Sequence, residues 1–184
     1  AAVSQHGDDT VIGIPKYKTD EITAPFFGLV YVALMLSFLY QTRMVPIEGK
    51  NTPIVYFLIF ICSWGCDTCA YAVGMLIGKH KMAPILSPKK SIEGGIGGIV
   101  GAALLGAIYG MIFDLDIRGC MILCAAGGAV SQIGDLAASA IKRNHNIKDY
   151  GHLIPGHGGI LDRFDSVIFT APIIYALTLL VFSR

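Results

Sequence analysis

Residues Ile117 to Ile141 read I-R-G-C-M-I-L-C-A-A-G-G-A-V-S-Q-I-G-D-L-A-A-S-A-I, and residues Lys142 to Arg163 read K-R-N-H-N-I-K-D-Y-G-H-L-I-P-G-H-G-G-I-L-D-R. The first segment is long and apolar enough to cross a bilayer, whose hydrocarbon core takes about 20 helical residues. It nevertheless carries Asp135. Gln132, Asp135, Ser139 and Lys142 fall at offsets 0, 3, 7 and 10, which is one face of a single helix. A membrane helix with an acid, a hydroxyl and a cation on one stripe lines a wet site and does not face lipid. That stripe runs straight into the polar segment. Between Ser139 and Asp165 lie four basic residues (Lys142, Arg143, Lys148, Arg163), three acids (Asp149, Asp162, Asp165) and three histidines (His145, His152, His157). Clustered cations, interleaved carboxylates and a flexible Pro-Gly-His-Gly-Gly turn suit a polyphosphate held with a divalent metal.

Working outward, the rest of the chain is mostly apolar. Of 184 residues, 54% are hydrophobic and only 15% charged, with a mean hydropathy of +0.62. Soluble domains carry roughly a quarter charged residues, so an ordinary soluble fold is excluded. The net charge of +1 says little, but basic residues cluster between long apolar runs, as in multi-span membrane proteins. Residues 24–42 hold no charge and form a first span. A second run, 53–78, would measure ~39 Å as a helix against a core of ~30 Å, so it tilts, protrudes or breaks near Gly65. Glu93-Gly94 opens a third span, 117–141 is the fourth and 164–183 the fifth. The expected fold is an all-α polytopic membrane bundle of about five helices with polar cytoplasmic loops. Residues 1–23 read as a polar loop and 24–184 as the membrane-embedded catalytic domain.

Asp67 sits inside the second span, where a carboxylate costs several kcal/mol unless it faces protein, water or a cation. Two readings stand: a protonated or hydrogen-bonded packing residue, or a cavity-lining residue sharing its face with Tyr71. Cys62, Cys66, Cys69, Cys120 and Cys124 lie inside apolar runs with no nearby histidine, so they read as small buried apolar residues and not as zinc ligands. Lys79-His80-Lys81 and Ser87-Pro88-Lys89-Lys90-Ser91 form a basic loop. Leading into a helix start, this loop is either a phosphate cradle or a plain basic loop. Gly94, Gly98, Ala102, Gly106 and Gly110 recur every fourth position, a stripe that lets a neighbouring helix approach closely, within the chain or across a subunit contact. The basic loops 79–91 and 142–163 belong on the cytoplasmic side by the positive-inside tendency, with the C-terminus outside.

The Ser139–Asp165 stretch matches, at every defined position, the signature of the phosphatidate cytidylyltransferases (CDP-diacylglycerol synthases). The resemblance extends through Asp67-Thr68-x-x-Tyr71 and Ser87-Pro88-Lys89-Lys90-x-x-Glu93-Gly94, and covers most of residues 24–184. Ser91 stands where that family commonly has Thr, which keeps the hydroxyl. The resemblance implies further membrane helices upstream, a homodimer, and a reaction of CTP with phosphatidate giving CDP-diacylglycerol and pyrophosphate. It also implies a magnesium-dependent site and leaves the presence of a second cation open. A cell (inner) membrane enzyme with its site facing the cytoplasm is expected, with no nucleic-acid partner.

Asp135 and Asp162 are the carboxylates best placed as metal ligands, and the resemblance implies the same pair. Asp165 and Asp67 are second candidates, as ligands or as partners of the ligands. The catalytic set is Asp135, Asp162, Lys142 and Arg143. The substrate-binding set is Asp67, Ser87, Lys89, Lys90, Glu93, Ser139, Lys148, Asp149, His157, Gly158, Gly159, Arg163 and Asp165. Its cations serve as clamps for the triphosphate and the lipid phosphate. His157 either donates to a phosphate oxygen or braces the turn. Competing readings are a CTP-dependent lipid or polyprenol kinase, which would release CDP instead of pyrophosphate, an inactive fragment that keeps the site, and a transporter. A transporter does not account for the dense polar loop.

Overall fold

The computed structural model describes residues 19–46, 53–151 and 159–182. Helix α1 (Thr19–Gly28) passes through a π-helical segment (Leu29–Leu34) into α2 (Met35–Met44). Its start lies inside the stretch read above as loop, and Thr19, Asp20 and Glu21 are residue types favoured at a helix N-terminus. The second span is built the same way: α3 (Pro53–Phe60), a π-helical segment (Ile61–Gly65) and α4 (Cys66–Ile77). The helix therefore widens at Gly65 and does not break. A side chain there would meet the end of the Leu105 side chain of the third span at 2.9 Å, so the two helices pack closely at this point. Helices α5 (Ile92–Ile112), α6 (Ile117–Asn144) and α7 (Leu161–Phe182) complete five stretches long and apolar enough to cross a membrane. The all-α membrane bundle expected from the sequence is the fold observed.

The basic loop is more ordered than its composition indicates. Strands β1 (Lys81–Ala83) and β2 (Ser87–Ser91) pair antiparallel, with Lys81 opposite Ser91 and Ala83 opposite Ser87. Pro84 opens the connecting turn, and Pro88 is tolerated because a two-stranded ribbon has only edges. Glu93 ties the ribbon to α5: its carboxylate accepts the Lys79 and His80 backbone N–H groups at 3.1–3.3 Å and lies 2.5 Å from His80 Nδ1.

Helix α5 packs between α4 and α6, α6 packs on α7, and α2 covers α7. The glycine stripe of α5 is wholly buried. Gly98 lies against Cys66 and Ala70 of α4, and Gly106 against Cys120 and Cys124 of α6, so the stripe is an internal packing device. Cys62, Cys66, Cys120 and Cys124 are buried free thiols in this core, and Cys69 is half-buried. Ser63, Ser131 and Ser166 join three spans below the polar end of the bundle, with Ser63 Oγ donating to Ser166 Oγ at 2.7 Å. Large apolar side chains such as Phe26, Leu76, Leu104 and Leu180 cover the outer surface, as lipid-facing residues do.

Candidate active site

Two ion clusters form at the polar end of the bundle. The first lies between the hairpin and the helices. Asp135 of α6 pairs with Lys90 of β2, both about a quarter exposed. They line a cavity of about 550 Å³ together with Asp67 and Tyr71 of α4, Lys81, Met82, Lys89, Ser91 and Gln132. That volume lies in the ~300–1,000 Å³ range of small-molecule sites. Asp67 is therefore a cavity-lining residue, with Lys90 and Asp135 the charged groups that act on it. Gln132 fixes the cavity floor by donating to the Gly95 carbonyl at 2.8 Å. The expected helix-start cradle is largely self-satisfied: Ile92 N–H donates to the His80 carbonyl, and Gly94 N–H to Ser91 Oγ at 3.2 Å. Cationic character on this side comes from the Lys81, Lys89 and Lys90 side chains.

The second cluster is buried. Lys142, in the last turn of α6, reaches Asp162 Oδ1 at 3.0 Å and Asp165 Oδ2 at 3.5 Å, with side-chain exposures of 11%, 7% and 8%. Asp162 Oδ2 also accepts the backbone N–H of Tyr150 at 2.8 Å and of Gly159 at 2.9 Å. One carboxylate therefore clamps both ends of the polar loop to the start of α7. Gly159 is required there, because a side chain would come within 3.0 Å of the Gly151 backbone. Asp165 Oδ1 accepts the Ser166 N–H at 2.8 Å. The Lys142 ammonium lies 5.2 Å from the centre of the Tyr150 ring. Burial lifts the Tyr150 phenol above its usual range, and the lysine opposes that shift.

The structure brings Asp67, Asp135 and Lys90 together, and Lys142, Asp162 and Asp165 together. Among the described residues Asp135 and Asp162 share no partner; Asp165, which shares Lys142 with Asp162, lies in the field of Asp135. Ser139 is half-buried on α6 between Asp135 and Lys142 in sequence. Other expected contributors stand further out. Arg143 is exposed and donates to the Ile147 carbonyl at 3.3 Å, Lys148 is exposed, and Asp149 is half-buried. Arg163 is exposed, and its carbonyl accepts the Trp64 indole N–H at 3.3 Å. Ser87 starts β2 and is half-buried, while Glu93 anchors the hairpin. His157 and Gly158 lie outside the described residues. Sequence reasoning missed Tyr150 and Tyr31. Tyr31 sits on the first span with a buried hydroxyl, and nothing in its apolar surroundings marked it.

Asp67, Asp135, Asp162 and Asp165 supply the carboxylate oxygens of the site, against the ammonium groups of Lys81, Lys89 and Lys90 at the cavity and Lys142 in the buried cluster. Hard carboxylate oxygens of this kind suit magnesium, which takes one or two protein carboxylates and leaves its other positions to phosphate and water. Among the described residues, no three acidic, thiol or imidazole groups close around a single point, so substrate oxygens would have to complete any such site.

Residues 9–181 match the family model described as "Cytidylyltransferase family". The chain is 37% identical over 170 residues to a phosphatidate cytidylyltransferase of Staphylococcus epidermidis, covering 91% of this chain and 63% of the relative. It is likewise 37% identical to one of Bacillus subtilis (91% and 62%) and 36% identical to one of Staphylococcus aureus (91% and 63%). The chain thus spans somewhat under two thirds of the length of these curated relatives. With nearly its whole length matched by the family model, this chain belongs to the cytidylyltransferase family.

Proposed function

We propose that this chain carries the site at which CMP is transferred from CTP to phosphatidate, giving CDP-diacylglycerol and pyrophosphate. The observation that carries the reading is the open Lys90–Asp135 cavity adjoining the buried Lys142–Asp162–Asp165 cluster. The names of the three relatives support the substrates. In the reaction, an oxygen of the lipid phosphate attacks the α-phosphorus of CTP. A new P–O bond forms in line as the bond to the bridging oxygen breaks, and pyrophosphate leaves with the electron pair.

Both reactants are anions, so alignment and charge neutralisation are the main tasks, and the attacking oxygen needs no strong base. Lys89 and Lys90 meet the triphosphate from the hairpin. Lys142, held between two carboxylates, presents a fixed positive charge at the loop. Asp135 and Asp162 are the residues that would hold magnesium, which when bound supplies neutralisation of the triphosphate. Asp67 and Asp165 are the groups available to a second cation. The lipid chains stay in the bilayer while the head group enters between helices. By the positive-inside tendency the site faces the cytoplasm, in the cell membrane. A homodimer belongs to this reading on family resemblance alone.

The test uses the full-length protein in detergent with labelled CTP, phosphatidate and magnesium. A lipid-soluble cytidine product with release of pyrophosphate is expected. Release of CDP with a phosphorylated lipid would instead identify a kinase, and no turnover by folded protein would overturn the enzyme reading.

A further inference from the structure

Tyr31 lies in the π-helical segment of the first span and is only 8% exposed. Its hydroxyl is buried and has no hydrogen-bond partner among the described residues, an arrangement that folded proteins avoid unless a ligand or water completes it. The ring is held on two sides. It stacks on Phe27 at 5.3 Å and meets the edge of Phe169 at 5.7 Å. Phe169 follows Asp165 by one turn of α7, and it also packs on Gly134, where a side chain would come within 2.8 Å of the ring. Gly134 immediately precedes Asp135. Tyr31 is thus seated on residues next to two of the site aspartates, and the ionisable groups that act on its hydroxyl are Tyr150, Asp165 and Asp135. Both oxygens of Asp165 have partners in Ser166 and Lys142, and Asp135 Oδ2 has one in Lys90. A π-helical turn rotates the residues beyond it relative to an α-helix and is frequent at functional sites. Here it coincides with an inward-facing tyrosine in a helix whose Phe26, Leu29 and Leu34 are exposed.

We propose that Tyr31 is a further substrate-binding residue, whose hydroxyl donates a hydrogen bond to a phosphoryl oxygen of a bound substrate. This rests on the cytidylyl-transfer reading above. A neutral donor is well suited to this place. It can meet an anionic oxygen beside the carboxylates without cancelling the charge that attracts a cation. The phosphoryl oxygen belongs either to the triphosphate or to the lipid phosphate.

The experiment compares the full-length protein with Tyr31→Phe. It measures unfolding temperature alone, with CTP and with short-chain phosphatidate, and kcat/KM for each substrate. The variant is expected to unfold at or above the wild-type temperature without ligand. Its kcat/KM should fall by about tenfold or more, the effect of one hydrogen bond to a charged oxygen. Loss of stabilisation by CTP assigns the triphosphate, and loss of stabilisation by phosphatidate assigns the lipid. Values of kcat/KM and ligand-induced shifts within twofold of wild type would overturn the assignment. So would earlier unfolding without ligand combined with unchanged ligand shifts, since the hydroxyl would then have its partner inside the fold. An inactive wild-type protein contradicts the reaction instead, and the two ligand-induced shifts still decide the role of Tyr31.

Discussion

The two ion clusters use the same chemistry in opposite settings. Asp135 meets one lysine, at a cavity wall where both side chains keep about a quarter of their exposure. Asp162 is almost fully buried and holds a lysine and two backbone N–H groups at once. The Lys90 nitrogen is itself buried, so water screens the first pair only in part; among the described residues, however, Asp162 has three polar partners to lose where Asp135 has one, and a carboxylate stripped of buried partners is costly. In the proposed reaction Asp135 would serve chemistry, while Asp162 would serve chemistry and folding together.

Substitution at Asp162 should expose that difference most strongly. Asp162→Asn is expected to remove cytidylyl transfer by at least about a hundredfold and to destabilise the protein by about 3–5 kcal/mol, because Lys142 loses its better partner in a buried place. Asp135→Asn should lose a similar share of activity while destabilising the protein by less than Asp162→Asn, because Asp162 has two backbone N–H groups to lose besides its lysine. Thermal unfolding in detergent beside a product assay checks both; equal destabilisation would erase the distinction. Lys142→Met leaves Asp162 and Asp165 without their cation and should cost about 3 kcal/mol or more. Adding Asp165→Asn should recover part of that loss in a double-mutant cycle, without restoring activity.

Smaller effects sharpen the same contrast. Gly159→Ala forces a methyl group against the Gly151 backbone and should cost about 1–3 kcal/mol, read as earlier proteolysis of the polar loop. Lys90→Ala should destabilise the protein by less than Lys142→Met, since it leaves one carboxylate without its cation instead of two, and raise the KM for CTP. The opposite pattern, an equal stability loss with an unchanged KM, would make Lys90 a packing residue.

The bundle was legible because membrane helices are fixed by length and lack of charge, which each span shows on its own. The α6 face was legible for the same local reason: Gln132, Asp135, Ser139 and Lys142 obey helical spacing whatever surrounds them. Pairings across the chain were not. Lys142 reads as a phosphate clamp until α7 brings Asp162 and Asp165 to it, and Glu93 reads as a site residue until the hairpin folds onto its carboxylate. The hairpin itself was hidden by two prolines and a basic composition that read as loop. Tyr31 was hidden more deeply, since the π-helical turn changes which residues of an apolar span face inward.

Manganese binding tests whether two aspartates in separate lysine pairs serve one cation-dependent site. Paramagnetic resonance of full-length protein in lipid nanodiscs, titrated with manganese in the presence of CTP, should show a bound ion in the wild type. Asp135→Asn and Asp162→Asn should each abolish it, while Lys90→Ala retains it. Undiminished manganese binding by folded Asp162→Asn would contradict the account, because the buried cluster would then stand apart from the metal.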